Sequence, residues 1–399
     1  MKFNWRELLL GPSYLVHRFL ILKSYEWTQS QVNEYYINKK RKYQQEIGGK
    51  INTKNEISRN LNKWDCRLFR FLTKTATTGG TSGSPFKFYL DVVFRRQKER
   101  AYIFDIWKDI GYRPFDLRIV IRGNISKDLI KYSVFENAYF ISPSNLTPEN
   151  RLRIIAFLTK LKPFFVHCYP SSLLQFIGFI GEDNFSRLKI RGILAGSEVF
   201  PKGQMEWLRT RFGIDIAHWY GHSEYAILAK YCFNCDGFHF YPTYGLAEFQ
   251  RDENNDLYRI IATSYNRIGT KFLRYDTDDF AVIDDTQCDK CAFPRVASVI
   301  GRTQEYFIDK HGQIQAFGPY LFGIHGEFWT KIQAIQFIQH SPGYMKIFIS
   351  GVKNGNKAWI EKFLSDRFDS VQTDFFYVDR IEKTRLMKHR YYINMLPEK

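Results

Sequence analysis

The fold is decided by the stretch Thr75-Ala76-Thr77-Thr78-Gly79-Gly80-Thr81-Ser82-Gly83-Ser84-Pro85, which lies between two apolar runs, 68–72 and 86–90. Glycine lets a backbone approach a ligand closely, and successive N–H groups in such a loop form a concave site for phosphate oxygens. Threonine and serine hydroxyls add hydrogen-bond donors. We interpret the stretch as a phosphate-binding loop with a strand on each side.

The loop differs from the two best-known phosphate-binding motifs. A mononucleotide P-loop needs Gly-Lys-Ser/Thr before a helix, with the lysine on the β- and γ-phosphates. Here Gly83 is followed by Ser84, Pro85 and a strand-like segment, 86–90. Because no helix follows, the dinucleotide fingerprint is excluded as well. Taken alone, the stretch is also compatible with a surface linker.

The composition favours a globular protein of two or more domains. The chain has 399 residues, of which 44% are hydrophobic. A membrane-spanning helix needs roughly 18–20 consecutive apolar residues. The longest candidate, 8–22, is interrupted by Gly11, Pro12, His17 and Arg18, and no small-residue cleavage site follows it. We therefore expect a cytoplasmic protein.

The net charge of +17 is compatible with nucleic acid, an anionic membrane or a phosphorylated ligand. The positive charges are spread along the chain, with a modest cluster at 39–42. A lysine-rich solvated surface explains the charge equally well. Peripheral contact with an anionic membrane is a weaker hypothesis.

Four of the six cysteines form two pairs, Cys232/Cys235 and Cys288/Cys291, each with the spacing Cys-x-x-Cys. Two such pairs about fifty residues apart suit a tetrahedral structural zinc site, in which His239 could replace one thiolate. Free thiols and a redox pair are the alternatives. Cys66 and Cys168 are expected to be ordinary buried thiols.

Helices and strands are predicted to alternate through the middle of the chain. The predicted helices are 94–110, 151–161 and 203–212, and the predicted strands are 164–168, 190–195 and 214–219. This alternation predicts α/β layers with a largely parallel sheet, preceded by a mostly helical segment to Lys63. Past Arg302 the strands 334–338, 345–350 and 375–378 and the helix 357–368 predict a small α+β unit. We place the boundary between a 1–302 domain and a 303–399 domain.

The loop Thr78 to Pro85 resembles the nucleotide loop of the adenylate-forming enzymes, which activate carboxylates as acyl-AMP. The version most similar to it belongs to the phenylacetate–CoA ligase-like and capsular-polysaccharide-biosynthesis (CapK-like) branch. The order of later segments agrees with that family from Thr75 to Lys388. The resemblance implies a large layered α/β N-terminal domain and a small mobile α+β C-terminal domain.

The resemblance also implies the roles of individual residues. In Tyr220-Gly221-His222-Ser223-Glu224, the tyrosine stacks on adenine, the hydroxyl touches the α-phosphate and the glutamate helps to hold Mg²⁺. Asp279 binds the ribose hydroxyls, and Arg302 contacts phosphate or ribose at the hinge. The catalytic residues are Lys388, Glu224 and Ser223. The nucleotide-binding set is Thr78, Gly79, Gly80, Thr81, Ser82, Gly83, Ser84, Gly196, Ser197, Glu198, Tyr220, Gly221, His222, Asp279 and Arg302. The candidates for binding the acid are His167, Tyr169, Ser171, Trp219 and Tyr225.

The chain departs from the family pattern at four positions. Ser84 replaces lysine, Asp278 and Met387 replace glycine, and Glu305 replaces the commoner aspartate. The expected function is ATP- and Mg²⁺-dependent formation of acyl-AMP, followed by transfer to coenzyme A or to an amine or hydroxyl acceptor. The alternatives are a degenerate relative that binds nucleotide without turnover and a zinc-containing nucleic-acid-binding protein. The acid, the acceptor and the oligomeric state are left open, and the basic segment around Lys388 could also be a solvated tail.

Overall fold

A computed structural model describes most of the chain. The described residues are 5–47, 49–65, 70–77, 86–121, 128–142, 145–198, 200, 203–252, 257–266, 268–300, 306–312, 314–317, 328, 331–352, 355–382 and 390–396. Within this part of the chain, every helix is too short or too polar to cross a lipid bilayer.

The described secondary structure comprises α-helices, short 3₁₀ helices and strands. The α-helices are α1 (Pro12–Tyr25), α2 (Gln29–Ile47), α3 (Lys54–Arg59), α4 (Phe94–Lys108), α5 (Arg151–Thr159), α6 (Pro170–Ile180), α7 (Glu182–Arg187), α8 (Gln204–Phe212) and α9 (Lys357–Arg367). The 3₁₀ helices are Trp5–Leu10, Leu61–Trp64, Arg70–Leu72 and Pro148–Asn150. The first eleven strands are β1 (Thr73–Thr77), β2 (Lys87–Asp91), β3 (Arg118–Ile121), β4 (Lys131–Ser133), β5 (Ala138–Phe140), β6 (Phe164–Cys168), β7 (Ile190–Gly196), β8 (Ile216–Gly221), β9 (Leu228–Cys232), β10 (Gly237–Phe240) and β11 (Gly245–Arg251). The remaining strands are β12 (Tyr258–Ser264), β13 (Tyr275–Val282), β14 (Arg295–Val296), β15 (Ser298–Ile300), β16 (Tyr306–Ile308), β17 (Ile314–Ala316), β18 (Ala334–Ser341), β19 (Tyr344–Ser350), β20 (Gln372–Val378) and β21 (Tyr392–Asn394).

The chain divides into two compact units. Unit A contains residues 1–114 and 217–302, and unit B contains residues 115–216 and 303–399. The chain passes from unit A to unit B between Arg302 and Thr303. The division into a 1–302 domain and a 303–399 domain stays a prediction.

The first half of unit B contains a parallel sheet, in which the predicted strands 164–168 and 190–195 are present as β6 and β7. In the order β7-β6-β3-β5, all neighbouring strands run parallel, and β4 adds an antiparallel edge. All side chains of β3 and β6 are buried. Strands buried on both faces are typically near-continuous apolar runs, which is why β6 and β7 are readable from the sequence, whereas β3 and β5 were not predicted. The predicted helices 151–161 and 203–212 are present as α5 and α8.

The second half of unit B is the small α+β assembly predicted beyond Arg302. Its sheet has the strand order β20-β19-β18-β21, in which β18 and β19 are antiparallel and the two outer pairs are parallel. The helix α9 buries Ile360 and Leu364 in a core with Phe337 and Ile347. Burial of such side chains contributes roughly 1.5–3 kcal/mol each.

Unit A contains the hairpin that brackets the opening stretch. β1 and β2 pair antiparallel, with Thr73 opposite Asp91 and Thr77 opposite Lys87. The strand before the loop is therefore Thr73–Thr77, and the prediction from the apolar run 68–72 was wrong in position, because Arg70–Leu72 form a 3₁₀ turn. Threonine is β-branched and fits a paired strand well. The strand after the loop lies where the sequence predicts it.

Two groups of paired strands in unit A carry the candidate site. Beyond Ile216, β8 pairs with β9, β9 with β10 and β10 with β14. The second sheet is antiparallel in the order β11-β12-β13-β15. A core that includes Phe88, Phe240, Ile260 and Tyr275 packs these sheets with β2. The predicted helical segment before Lys63 is present as α1, α2 and α3, and the predicted helix 94–110 as α4.

Candidate active site

The segment from Tyr220 to Glu224 leaves the end of β8 in a tight turn. The turn closes where the amide of Tyr225 donates to the carbonyl oxygen of His222 at 3.1 Å. Tyr225 has a φ of 56°, in the left-handed region that residues other than glycine seldom adopt. Such strained positions are concentrated at functional sites. The Ser223 side chain is exposed on this turn, so its hydroxyl is accessible to a ligand.

Two predicted nucleotide residues meet directly in unit A. The Tyr220 hydroxyl donates to Asp279 Oδ2 at 2.7 Å, although the two residues are 59 positions apart. The amide of Asp279 donates to Thr277 Oγ1 at 3.1 Å, which helps to fix the backbone of β13 at Asp279. Burial, together with the charge of Asp279, raises the pKa of Tyr220 well above its ordinary value. The phenol therefore stays protonated and holds the Asp279 carboxylate in place.

Glu224 is held at both carboxylate oxygens. His222 Nδ1 lies 3.1 Å from Oε2, and the Tyr275 hydroxyl donates to Oε1 at 2.8 Å. The Glu224 side chain is buried, with 1% of its surface exposed. Tyr275 lies in the segment that the resemblance singles out at Asp279, but no role was predicted for it. Its hydroxyl can be assigned to Glu224 only after β13 is placed beside the end of β8.

The charge of Glu224 follows from the same contacts. Burial alone would raise its pKa, but the interactions with His222, the charge of Lys54 and the hydrogen bond from Tyr275 together lower the pKa to about 2. The group is thus a carboxylate at neutral pH. Since a carboxylate only accepts hydrogen bonds, His222 must carry a proton on Nδ1.

Asp278 has a left-handed backbone conformation, which glycine adopts most readily. Its φ is 61°, in the left-handed region that aspartate tolerates better than most residues. Its amide donates to Asp276 Oδ1 at 2.9 Å, and its carboxylate pairs with Lys54. Lys54 also donates to the carbonyl oxygen of Thr277 at 3.3 Å. The turn at Asp278 is therefore held by hydrogen bonds and by a lysine that the sequence did not single out.

The two acid-binding candidates in unit A have different surroundings. Trp219 is buried, and its ring centroid lies 5.9 Å from that of Trp107. Tyr225 lies under Arg95, whose guanidinium carbon is 4.2 Å from the centre of the phenol ring. Arg95 is itself buried on α4 and donates through Nε to the carbonyl oxygen of Asp91 at 2.9 Å. Trp219 is thus part of the core, while Tyr225 is paired with a cation that the sequence gave no reason to select.

The other acid-binding candidates lie in unit B, around the end of β6. His167 is buried, and its Nδ1 lies 3.2 Å from a terminal nitrogen of Arg118 on the neighbouring strand β3. Arg118 also forms an ion pair of 3.1 Å with Glu136. Tyr169 is buried at the start of α6, and its carbonyl oxygen accepts from the amide of Leu173 at 2.9 Å. Ser171 belongs to the first turn of α6.

The predicted loop Gly196-Ser197-Glu198 follows β7 in unit B. Gly196 is the last residue of the strand, and Ser197 has a φ of 68° with an exposed side chain. This is the position at which open α/β sheets present ligand-binding groups. The segments Thr78 to Ser84, Arg302 and Lys388 lie outside the described residues, and so do Cys66, Glu305 and Met387. The roles predicted for them stay predictions.

The cysteine pairs come together in unit A with a histidine. One ligand atom from each of Cys232, Cys235, His239 and Cys288 lies within 4.8 Å of all the others. Cys291 Sγ lies 3.5 Å from Nδ1 of the same histidine. This donor set fits zinc, which prefers thiolate and imidazole ligands. Of the two cysteines outside these pairs, Cys168 is buried as predicted.

The chain has the mixed α/β fold of the adenylate-forming ligases, with a large N-terminal domain and a smaller C-terminal domain. This assignment of the fold rests on similarity to solved structures. No protein-family model matches the chain, and no curated protein matches it.

Three solved structures illustrate the similarity. The structure of 2-hydroxyisobutyryl-CoA ligase with R3-HIB-AMP, in the postadenylation state, is 11% identical, with a TM-score of 0.58 over 96% of this chain and 88% of that chain. The same ligase with 2-HIB-AMP is 12% identical, with a TM-score of 0.56 and the same coverage. The anthranilate CoA ligase AuaEII with anthranoyl-AMP is 13% identical, with a TM-score of 0.50 over 79% of this chain and 64% of that chain. At such identities the similarity shows the fold.

Proposed function

We propose that the protein uses ATP to activate a carboxylic acid as acyl-AMP and then transfers the acyl group to an acceptor. In the first step a carboxylate oxygen attacks the α-phosphorus, the bond to the bridging oxygen breaks and pyrophosphate leaves. In the second step the acceptor attacks the acyl carbon and AMP leaves. The observation that carries the proposal is the pairing of Tyr220 with Asp279 beside the anionic Glu224. The similar ligases solved with acyl-AMP support it.

The nucleotide is proposed to bind across the ends of β8 and β13. Tyr220 would stack on adenine while its hydroxyl orients Asp279, whose carboxylate would accept from the ribose hydroxyls. The exposed hydroxyl of Ser223 would donate to the α-phosphate. Nucleotidyl transfer depends mainly on positioning and on neutralising charge, so rigidly held donors are the groups it needs.

Glu224 is proposed to help hold Mg²⁺. Its two oxygens each accept one hydrogen bond, so each keeps lone-pair capacity for a cation or a metal-bound water. Mg²⁺ prefers oxygen ligands and keeps several waters, which suits one well-anchored carboxylate. The ion offsets phosphate charge when it is bound.

Three further roles rest on the family resemblance. The backbone and hydroxyls of Thr78 to Ser84 would cradle the phosphates, Arg302 would mark the hinge, and Lys388 would bridge the acyl carboxylate and the α-phosphate. A lysine suits this task because its charge lies at the end of a long, flexible stem. We propose that the 303–399 domain moves about Arg302 to bring Lys388 to the reacting atoms, as lids in other enzymes do.

The subtype is proposed to be phenylacetate–CoA ligase-like or CapK-like. Coenzyme A is the proposed acceptor, and an amine or hydroxyl of a polysaccharide precursor is the alternative. The reaction is proposed to take place in the cytoplasm.

The protein is also proposed to make peripheral contact with an anionic membrane. Its net charge of +17 and the exposed apolar residues Leu8, Leu9 and Phe19 of the N-terminal segment support this contact. Co-sedimentation with phosphatidylserine vesicles but not with phosphatidylcholine vesicles tests this contact.

The decisive experiment is carboxylate-dependent exchange of labelled pyrophosphate into ATP over a panel of aryl, hydroxy and amino acids. We expect exchange with at least one acid and its loss in Glu224→Gln. Glu206→Gln, an exposed carboxylate on α8, is the matched control and should retain exchange. ATP binding without exchange for any acid would instead identify a degenerate relative and overturn the proposal.

The cysteine pairs are proposed to hold a structural zinc ion that takes no part in the reaction. Metal analysis of protein purified without chelator should find about one zinc per chain. A content far below one would contradict the zinc site and leave the proposed reaction unaffected.

A further inference from the structure

The two Cys-x-x-Cys pairs and His239 offer five donors, one more than a tetrahedral zinc site accepts. The sequence leaves open which four bind. Zn–S and Zn–N lengths of about 2.3 and 2.0–2.1 Å imply separations of about 3.8 Å between two sulfurs and about 3.6 Å between a sulfur and a nitrogen.

His239 lies inside the cluster. Its Nε2 is 3.2 Å from Cys235 Sγ, while Cys232 Sγ is 4.0 Å from Cys288 Sγ. Both separations are near those of a tetrahedral site. The four ligand atoms all lie within 4.8 Å of one another, and Cys291 does not belong to this group.

The position of His239 is set by the sheet. It belongs to β10, where it lies opposite Lys230 of β9 and Arg295 of β14, and it is 1% exposed. A side chain on a strand paired on both sides has little freedom to move away from the cluster. Its Nε2 therefore stays beside Cys235 as long as the sheet is intact.

The other ring nitrogen has the surroundings of a ligand's outer contact. Nδ1 lies 3.5 Å from Cys291 Sγ. Histidines that bind a metal through one nitrogen commonly donate from the other nitrogen to a carbonyl or an anion, which fixes the ring. Cys291 thus takes the place of that outer contact.

We infer that zinc is bound by Cys232, Cys235, Cys288 and Nε2 of His239, and that Cys291 is an uncoordinated thiol beside Nδ1. The inference rests on the proposed zinc site. The ion would join the turn between β9 and β10 to the loop 283–294 between β13 and β14. Arg295 already connects the same segments, because it donates to the carbonyl oxygen of Cys235 at 2.6 Å and pairs with Asp284.

The test measures zinc content and zinc affinity of the full chain for the wild type, Cys291→Ser, Cys288→Ser and His239→Ala, using competition with a chromophoric chelator. Cys291→Ser should keep one zinc per chain, with an affinity loss no greater than the roughly 10–100-fold typical of an outer contact. Cys288→Ser and His239→Ala should lose more than that. If Cys291→Ser loses zinc as Cys288→Ser does, or His239→Ala keeps it, the assignment is wrong.

A second measurement avoids reliance on variants that fold poorly. In protein loaded with Co²⁺ in place of zinc, the sulfur-to-cobalt absorption grows with the number of thiolate ligands. The wild type and Cys291→Ser should give the same intensity, as expected for three thiolates and one imidazole. A drop of about one quarter in Cys291→Ser would indicate four thiolates in the wild type and overturn the assignment. A wild type that binds neither metal would contradict the zinc site itself.

Discussion

Replacement of Tyr275 by phenylalanine removes the hydroxyl group that hydrogen-bonds to Glu224. The lost hydroxyl donates to Glu224 Oε1 at 2.8 Å, in a place where Tyr275 is fully buried and Glu224 is 1% exposed. The phenylalanine ring keeps the contact with Phe272, whose ring centroid lies 5.1 Å away. The substitution therefore tests one hydrogen bond with almost no change in packing volume.

The size of the effect follows from the charge of the acceptor. A hydrogen bond to a charged group contributes about 1.5–3 kcal/mol, and the oxygen left behind is buried. We expect Tyr275→Phe to lower the free energy of unfolding by about 1.5–3 kcal/mol, or roughly 10- to 150-fold in the unfolding equilibrium. The pKa of Glu224 should rise, since the lost bond favours the carboxylate.

Urea-induced unfolding at pH 7 measures the change. Tyr132→Phe is the matched control, because the Tyr132 hydroxyl donates to Asn137 Oδ1 at 2.8 Å on the surface. The control should alter the stability by less than about 0.5 kcal/mol. If Tyr275→Phe is as stable as Tyr132→Phe, the Tyr275 hydroxyl does not stabilise the Glu224 carboxylate.

Three further predictions concern the same site and the lysine that is proposed to serve it. Glu224 has a pKa of about 2 in the folded chain against an ordinary 4.5, so it should contribute about 3 kcal/mol of stability above pH 4.5 that is lost as the pH falls towards 2. The stability difference between wild type and Glu224→Gln, followed from pH 7 to pH 2, should shrink over that window, and a constant difference would contradict the pKa. Lys54→Met should raise the pKa of Glu224 and lower the stability by about 1 kcal/mol, because it removes the ion pair with Asp278; an unchanged urea midpoint would count against that pair. Lys388→Ala should impair pyrophosphate exchange while ATP binding, measured by calorimetry, stays within a few fold, and normal exchange would remove Lys388 from the mechanism.

Much of the fold could be predicted from the sequence, because its signals are local. The strand β6 is a nearly continuous apolar run interrupted by His167, and the helices α4, α5 and α8 have apolar residues at helical spacing. The strand β3, which begins with Arg118, was not predicted. The strand before the glycine-rich loop lies at Thr73–Thr77 and not in the apolar run 68–72, because pairing with β2 determines its position. Pairing depends on a partner that the local pattern does not reveal.

Some residues of the candidate site could be predicted from the sequence, and others could not. The resemblance to the adenylate-forming enzymes suggested Tyr220, Glu224 and Asp279, because each occurs in a short motif similar to one of that family. Tyr275, Lys54 and Arg95 were missed as site residues, because nothing in their own neighbourhoods distinguishes a tyrosine, lysine or arginine with a buried polar partner from one in solvent.

The sequence by itself determined the class of fold, the glycine- and hydroxyl-rich loop, the turn after β8 and the cysteine pairs, since each depends on residues that are neighbours along the chain. Only the tertiary structure decided that Tyr220 bonds to Asp279 across 59 positions, that Glu224 is kept anionic by His222, Lys54 and Tyr275, and that His239 lies among three cysteines. These contacts join separate strands, and their distances and charges exist only after the sheets of unit A have formed. The protonation state of Glu224 is therefore a property of the assembled sheets, whereas its place in the motif is a property of the sequence.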